Sequence, residues 1–436
     1  MNIPVSTMSR RHLVVAGAAA AASASLLSNS SSTFARQSDA SGTVRLAIYN
    51  INDSWHQTFQ GVIDAFHAAH PNIQVEVEIR PGEQYYDKLQ IEYASGSGPD
   101  ISVNDMEMVV AFAARGMLLD LKPYFERDAI DQSQYWYSHD TDWGWKDGLW
   151  GGLMYAGGQM LFINLDILEA AGLTVPSEDW TWDDLTEYAR AMTIPDQNQF
   201  GLHFGIINPP YWGTSFIHGA GGTVLNEARD EATLTSTETR AGLTYLADLM
   251  LKEGLIPVPS ATEGQDNLFM TGKVGMYFGG TWDEAAVRSA GFRWDFARMP
   301  IHPQTGLRFV QEGSNAWSVL SSSSNPDAAW EVVKYLIGVD AQTGIMGLGL
   351  PVLDSVVNSA EFKALHSPQN IDLTLKDFRD HGHNYYATPD AGEWWNAVDQ
   401  EFSVIWSGEA TVDEATQRAN DSINDIFRQR LPEWSE

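Results

Sequence analysis

The fold is indicated most directly by residues 73–105, which read IQVEVEIRPGEQYYDKLQIEYASGSGPDISVND. Apolar and polar residues alternate over 73–79, which is the pattern of a half-buried strand. Residues 85–94 are predicted to form a helix that ends at Gly96, and Ile101 belongs to another predicted strand. Two strands separated by a helix favour parallel pairing with a right-handed crossover.

The same alternation precedes this stretch. Apolar and polar residues alternate over 43–48, and a helix is predicted to begin after a capping Ser54, with Gln57 completing a capping box. His70-Pro71 ends that helix, because the residue before proline disfavours the helical conformation. Strand, helix, strand, helix and strand in succession predict an α/β fold with a parallel sheet.

Two polar residues end the third predicted strand. In open parallel sheets ligands bind beyond the carboxyl ends of the strands, so Asn104 and Asp105 are candidate ligand-binding residues. The structural alternative is local turn capping.

Length, charge and cysteine content restrict the functional classes. A chain of 436 residues fits two lobes, and the absence of cysteine excludes disulfides, thiolate metal sites and a lipid-anchored N-terminus. The formal net charge of −31 argues against nucleic acid as a partner and against a strongly anionic ligand.

The first 35 residues resemble a twin-arginine (Tat) signal peptide. Arg10 and Arg11 precede an alanine-rich run over 13–27, and Thr33-Phe34-Ala35 offers small residues for cleavage after Ala35. A general secretory signal that happens to carry two arginines is the alternative. Either signal exports the protein, and we expect it in the periplasm.

A set of motifs spread over the remaining chain resembles the family 1 extracellular solute-binding proteins, the carbohydrate receptors of ABC importers. The segments that carry the resemblance are 86–89 (YDKL), 94–101 (ASGSGPDI), 114–121 (ARGMLLDL), 147–153 (DGLWGGL), 170–173 (AAGL), 180–185 (WTWDDL), 269–276 (FMTGKVGM), 325–330 (NPDAAW) and 408–424 (GEATVDEATQRANDSIN). Two residues depart from the family pattern near the first expected crossing between lobes: Met154 replaces proline and Ile163 replaces tyrosine.

The resemblance implies a two-lobe periplasmic binding protein fold. Each lobe is expected to be a mainly parallel sheet flanked by helices, and the chain is expected to cross the hinge three times. The implied N-terminal lobe is 43–153 plus 312–355, and the C-terminal lobe is 157–308 plus 357–436. Ligand binding closes such lobes. The implied partners are the permease subunits of an ABC importer, and we expect a monomer that needs no cofactor or metal.

A sugar site combines aromatic faces with hydrogen-bonding groups. The resemblance places the loop after the first strand at the cleft, with Asp53, Trp55 and His56. The other candidates are Tyr155 and Gly158 near the first expected crossing; Trp212 in an aromatic loop of the second lobe; Trp282; Glu312 and Gly313 where the chain re-enters the first lobe; and Trp394 at the start of a late helix. The resemblance assigns stacking on the sugar to Trp282 in particular. Ordinary structural roles remain open: Trp55 could pack on the first helix, Gly158 could serve only the hinge, and Trp282 could be a core aromatic.

Other functions receive weaker support. A polyol or a glycerophosphate ester could occupy the same fold, although a phosphate ester would favour an arginine cluster that the candidate segments lack. A glycoside hydrolase needs two carboxylates in fixed geometry, but Asp183 and Asp184 suit the first turn of a helix capped by Thr181. His381 and His383 hint at a metal without further ligands at a defined spacing.

Overall fold

The computed structural model describes residues 40–51, 53–137, 144–208, 211–261, 267–384, 387–430 and 434. The predicted signal peptide lies outside these residues. Within them, no helix has both the length and the apolar character required to span a membrane.

The strands and helices are numbered in chain order. The strands are β1 (Gly42–Tyr49), β2 (Ile73–Arg80), β3 (Ile101–Asp105), β4 (Gly144–Trp145), β5 (Gly148–Leu149), β6 (Gly152–Tyr155), β7 (Gln159–Asn164), β8 (Phe200–Phe204), β9 (Val274–Gly280), β10 (Trp294–Ala297), β11 (Val310–Gln311), β12 (Asn315–Val319) and β13 (Gly382–His383). The α-helices are α1 (Asp53–Ala69), α2 (Tyr85–Ser95), α3 (Met106–Ala114), α4 (Lys122–Arg127), α5 (Leu165–Ala170), α6 (Trp182–Met192), α7 (Gly213–Gly219), α8 (Thr237–Ala247), α9 (Glu284–Val287), α10 (Pro326–Leu336), α11 (Val339–Gly344), α12 (Asp354–Val357), α13 (Ala360–Leu365), α14 (Ile371–His381), α15 (Ala391–Trp406) and α16 (Val412–Arg428).

The first lobe is built on a five-stranded sheet with the order β2-β1-β3-β12-β6. Strand β1 pairs in parallel with β2 and with β3, which confirms the parallel arrangement predicted for the N-terminal segment. Strand β12 returns from far along the chain and pairs antiparallel with both β3 and β6. The sheet is therefore mixed.

The second lobe is built on a four-stranded sheet with the order β10-β7-β9-β8. Strands β10 and β9 both pair antiparallel with β7, and only β8 pairs in parallel with β9. The two-lobe α/β fold is confirmed, but the expectation of a mainly parallel sheet is wrong for this lobe. Its strands are far apart in sequence, so local patterns do not specify their direction.

The helix boundaries near the N-terminus follow the predicted stop signals. Helix α1 ends at Ala69, directly before His70-Pro71, and α2 is closed by Gly96 at φ 68°. The predicted cap is displaced, because α1 begins at Asp53 and already includes Ser54. Thr181 caps α6 as predicted, with Asp184 completing the capping box.

Two segments that connect the sheets run side by side. The chain leaves the first sheet after Tyr155 and enters the second at Gln159, and it returns through Gly313 to β12. The Gly313 amide donates to the Gly157 carbonyl at 3.1 Å. A Cβ at Gly157 would lie 1.9 Å from the Gly313 carbonyl oxygen, so this approach requires glycine.

Candidate functional site

A cleft of about 940 Å³ lies between the two lobes. Its walls bring together residues from both sheets and from the loops that follow them. The lining residues are Tyr49, Ile51, Trp55, Asp105, Glu107, Tyr155, Gly313, Ser314, Asn315 and Leu348 from the first lobe, and Ile206, Tyr211, Asn267, Trp282, Asp283, Ala285, Ala286 and Ser289 from the second.

Strand ends form the polar part of the first-lobe wall. Tyr49 ends β1 and Asp105 ends β3, and parallel pairing brings these carboxyl ends to one edge of the sheet. Asn315 begins the antiparallel β12 at that edge and stands opposite Asp105 and Tyr155. Four strands therefore deliver a carboxylate, an amide and two phenols to one place.

These side chains share hydrogen bonds. The Tyr49 hydroxyl donates to Asp105 Oδ1 at 3.1 Å, and Asn315 Nδ2 donates to the Tyr49 hydroxyl at 2.7 Å and also to Asp105 Oδ1. Burial raises the pKa of Asp105, while hydrogen bonds from Tyr86, Tyr49 and Asn315 act to lower it. Burial and the nearby Asp105 raise the pKa of Tyr49. Neutral donors thus hold the Asp105 carboxylate in one orientation.

Glu107 adds a second carboxyl group to this wall from the first turn of α3. Only 8% of Glu107 is exposed, and burial, followed by the charge of Asp105, raises the pKa of its carboxyl well above the usual range. Tyr211 approaches from the second lobe, where burial and then the charge of Glu107 raise the pKa of its phenol. The two side chains therefore interact electrostatically across the cleft.

The second-lobe wall is dominated by Trp282, which lies in the short turn that follows β9. Its ring stacks on Trp212 with centroids 5.5 Å apart and an interplanar angle of 19°, and 36% of Trp282 is exposed. A Cβ at Gly280 would lie 2.4 Å from the Trp282 ring. The glycine thus makes room for an indole whose uncovered face is available to the cleft.

Asp283 brings a third carboxyl group to the cleft. Its Oδ2 atom accepts from the Tyr277 hydroxyl and from the Gly280 amide, both at 2.9 Å. Burial raises the pKa of this carboxyl. The adjacent helix α9 begins at Glu284, whose Oε1 lies 2.8 Å from Nε2 of the buried His366. This contact anchors the helix on the side of His366.

The structure brings five of the predicted site residues into the cleft lining, namely Trp55, Asp105, Tyr155, Trp282 and Gly313. Trp55 also stacks on Phe59 of α1 at 4.9 Å, so it serves the packing role and still reaches the cleft. The side chain of Asp53 lies outside the described residues.

Three further predicted residues are buried and do not line the cleft. Trp212 backs Trp282 and is fully buried. Asn104 points to the other face of the first sheet from Asp105, and its Nδ2 donates to Ser102 Oγ at 2.9 Å. Trp394 is fully buried in α15 and donates to Thr388 Oγ1 at 2.8 Å.

The remaining three predicted residues contact the connecting segments and loops. Gly158 and Glu312 form an isolated bridge between the segments that link the sheets, and Glu312 is buried. His56 Nε2 lies 3.3 Å from the Ile51 amide and 3.0 Å from Asn50 Oδ1, so it supports the loop after β1. None of the three lines the cleft.

Sequence reasoning missed several lining residues, chiefly Tyr49, Glu107, Tyr211, Asn267, Asp283 and Asn315. Tyr49 ends a parallel strand as Asp105 does, so the same argument from the carboxyl ends of strands predicts it as a site residue. Tyr211 and Asp283 adjoin the predicted Trp212 and Trp282. Asn267 caps a short turn through Phe269 and carries no signal in the sequence.

Among Asp, Glu, Lys and Arg residues, the lining contains only acidic ones. Three carboxyl groups contribute to it, and none of the lining residues is lysine or arginine. Within the described ranges, no group of three or more His, Cys, Asp or Glu side chains is placed to hold a metal ion.

Comparison with known proteins gives consistent matches. The family described as "Bacterial extracellular solute-binding protein" matches residues 52–343. The maltotriose-binding protein of Pyrococcus abyssi is 22% identical over 345 residues, covering 75% of this chain and 70% of that protein. The galactooligosaccharide-binding protein of Bacillus subtilis is 21% identical over 368 residues, covering 82% of this chain and 83% of the relative.

The fold also matches solved structures. An ABC substrate-binding protein from Listeria monocytogenes, in complex with cycloalternan, superposes with a TM-score of 0.79 at 20% sequence identity. The match covers 89% of this chain and 99% of that one.

Proposed function

This chain belongs to the bacterial extracellular solute-binding protein family, and we propose that it captures a sugar or oligosaccharide between its two lobes and delivers it to an ABC importer. The similarity to a maltotriose-binding protein and to a galactooligosaccharide-binding protein supports a carbohydrate ligand. In this proposal the protein is a receptor and not an enzyme.

The composition of the cleft carries the proposal. Trp282 offers an uncovered indole face, and Asp105, Asn315 and Tyr49 offer a prearranged set of polar atoms on the other wall. A sugar presents flat apolar faces and hydroxyl groups. The indole of Trp282 suits the apolar faces, and the polar atoms of the other wall suit the hydroxyl groups. The lack of lysine and arginine in the lining argues against a phosphate ester.

We assign ligand contact to the predicted residues that line the cleft, together with Tyr49, Glu107, Tyr211, Asp283 and Asn315. In this proposal the N-terminal lobe comprises residues 43–153 and 312–355, and the C-terminal lobe comprises residues 157–308 and 357–436. Closure of the lobes around the ligand would form the surface that the permease subunits recognise. Residues 1–35 would direct export to the periplasm, through the twin-arginine or the general secretory route, and the protein would act as a monomer.

A thermal-shift screen tests the proposal directly. Purified protein is heated with mono- and oligosaccharides, polyols and glycerophosphate esters, and unfolding is followed by tryptophan fluorescence. A ligand that binds only the folded state raises the melting temperature in a saturable way. We expect a carbohydrate to do so.

The other outcomes identify the alternatives. A shift by polyols alone would replace the sugar with a polyol, and a shift by phosphorylated ligands alone would contradict the assigned chemistry of the cleft. Turnover of a glycoside, measured as released reducing ends, would contradict the receptor function itself.

A further inference from the structure

Among the described residues, no lysine or arginine lines the cleft beside its three carboxyl groups. Asp105 and Glu107 stand on one wall and Asp283 on the other. Among the described residues, the groups that act on the pKa of these carboxyls are neutral donors, phenols or one another, and no lysine, arginine or histidine is among them. Within the described part of the chain, the cleft lining thus holds three carboxyl groups and no lysine or arginine. Burial favours the neutral form of these carboxyl groups in the empty cleft, and a bound cation would favour their ionised form.

Glu107 is the most informative of the three. It is 8% exposed, lines the cleft, and accepts a hydrogen bond from its own backbone amide. Asp105 and Glu107 are prearranged close to each other, and burial of a carboxylate without a cation costs folding free energy. A ligand that supplies a positive charge would offset that cost.

The arrangement suits an organic cation better than a metal ion. Within the described part of the chain, the carboxyl groups are not grouped closely enough to hold a metal. Aromatic rings stand around them, including Tyr155 on the first wall and Tyr211 and Trp282 on the second. An ammonium group is attracted to carboxylates and to the faces of aromatic rings.

We infer that the ligand is a sugar that carries a protonated amine, held between Glu107 and Asp105 with its ring faces on the aromatic side chains of the cleft. The inference rests on the proposed function, since it specifies which carbohydrates the cleft takes.

The test uses the full chain and matched sugars in calorimetry at pH 7 and low salt. The β-1,4-linked trimers of glucosamine, N-acetylglucosamine and glucose share linkage and length and differ at position 2. Glucosamine with glucose, and galactosamine with galactose, form two further pairs. Spermidine supplies amines without a sugar. We expect the amine-bearing member of at least one set to bind about tenfold more tightly than its neutral partners.

Two variants connect the preference to the cleft. Glu107→Gln cannot ionise and keeps the shape, so it should lower the affinity for the amine-bearing sugar to about that of its neutral partner. Asp283→Asn, on the opposite wall, should reduce the preference by a smaller factor. Glu126→Gln is the control, because Glu126 is an exposed residue of α4 outside the cleft lining.

The outcomes separate the two proposals. Neutral sugars that bind as tightly as their amines, or a Glu107→Gln variant that weakens every sugar equally, would overturn the inference and leave the receptor function intact. Spermidine binding without any sugar binding would overturn both. If no member of the carbohydrate panel binds, the proposed function fails, and this inference fails with it.

Discussion

Trp282 stacks on Trp212 at 5.5 Å, so that a fully buried indole supports a partly exposed one at the wall of the cleft. The first ring is part of the core, and the second presents its free face between the lobes. The two tryptophans therefore contribute to the site in different ways: Trp282 lines the cleft, and Trp212 holds the Trp282 ring in place.

Replacing Trp282 with alanine should lower ligand affinity by about 5- to 150-fold, because a buried aromatic contact contributes roughly 1–3 kcal/mol. Trp282→Phe should retain part of the affinity, since a smaller ring still offers a face. Calorimetry with the sugar found in the screen measures both. Unchanged affinity in Trp282→Ala would contradict the stacking role.

Gly280→Ala should disturb the same wall without touching the ligand. The added Cβ would lie 2.4 Å from the Trp282 ring, a distance that forces the indole to move. We expect weaker binding and a lower melting temperature. Gly291→Ala is the matched control, since no atom lies within 4 Å of a Cβ built there. Equal affinity in the two variants would show that Trp282 does not need its observed position.

Tyr49→Phe should weaken binding and stability together. The Tyr49 hydroxyl donates to Asp105 and accepts from Asn315, so its loss leaves two buried polar groups with fewer partners. We expect the free energy of unfolding to fall by about 1–2 kcal/mol. Chemical denaturation measures this change. Tyr188→Phe, which removes an exposed hydrogen bond to the Thr174 carbonyl, should change neither quantity appreciably.

Glu107→Gln should stabilise the empty protein, and more so as the pH rises. Burial and Asp105 raise the pKa of Glu107, so folding favours its protonated form. That contribution is complete below the unfolded value of about 4.3 and is lost as the pH rises through the folded value. The groups that face Glu107 are Asp105 of β3, Tyr86 of α2 and Tyr211 of the second lobe.

The measurement is a melting series between pH 4 and pH 8 without ligand. Near pH 4 the variant and the unmodified protein should melt together, and toward pH 8 the variant should melt higher, by about 1 °C for each kcal/mol in a chain of this size. A difference that shrinks with rising pH would contradict the assigned direction of the pKa shift.

Part of the candidate site could be predicted from the sequence, because ligands of parallel sheets bind at the carboxyl ends of the strands. Asp105 was predicted from the end of a strand whose direction could be inferred from two neighbouring crossovers. Asn104, adjacent in the chain, points to the opposite face, because successive side chains of a strand alternate. The same pattern therefore predicted one lining residue and one buried residue, and the packing of the two sheet faces in the folded protein decides which is which.

The remaining site residues depend on contacts between distant segments. Asn315 reaches Asp105 only because β12 inserts antiparallel beside β3, and Glu107 faces Tyr211 only because the lobes stand opposite each other. The resemblance to a family located the regions of Tyr155, Trp282 and Gly313. It could not distinguish Trp282 at the surface of the cleft from Trp212 behind it.

Hydrophobic periodicity, caps and stop signals act within a few residues, so they predict the local elements from the sequence alone. These elements are strand β1, the end of α1 at Ala69, the closure of α2 by Gly96 and the capping of α6 by Thr181. The direction of the strands in the second sheet and the set of residues that line the cleft depend instead on long-range packing. Pairing and burial are set by the free energy of packing segments that lie far apart in the chain, and no local pattern records which segments meet.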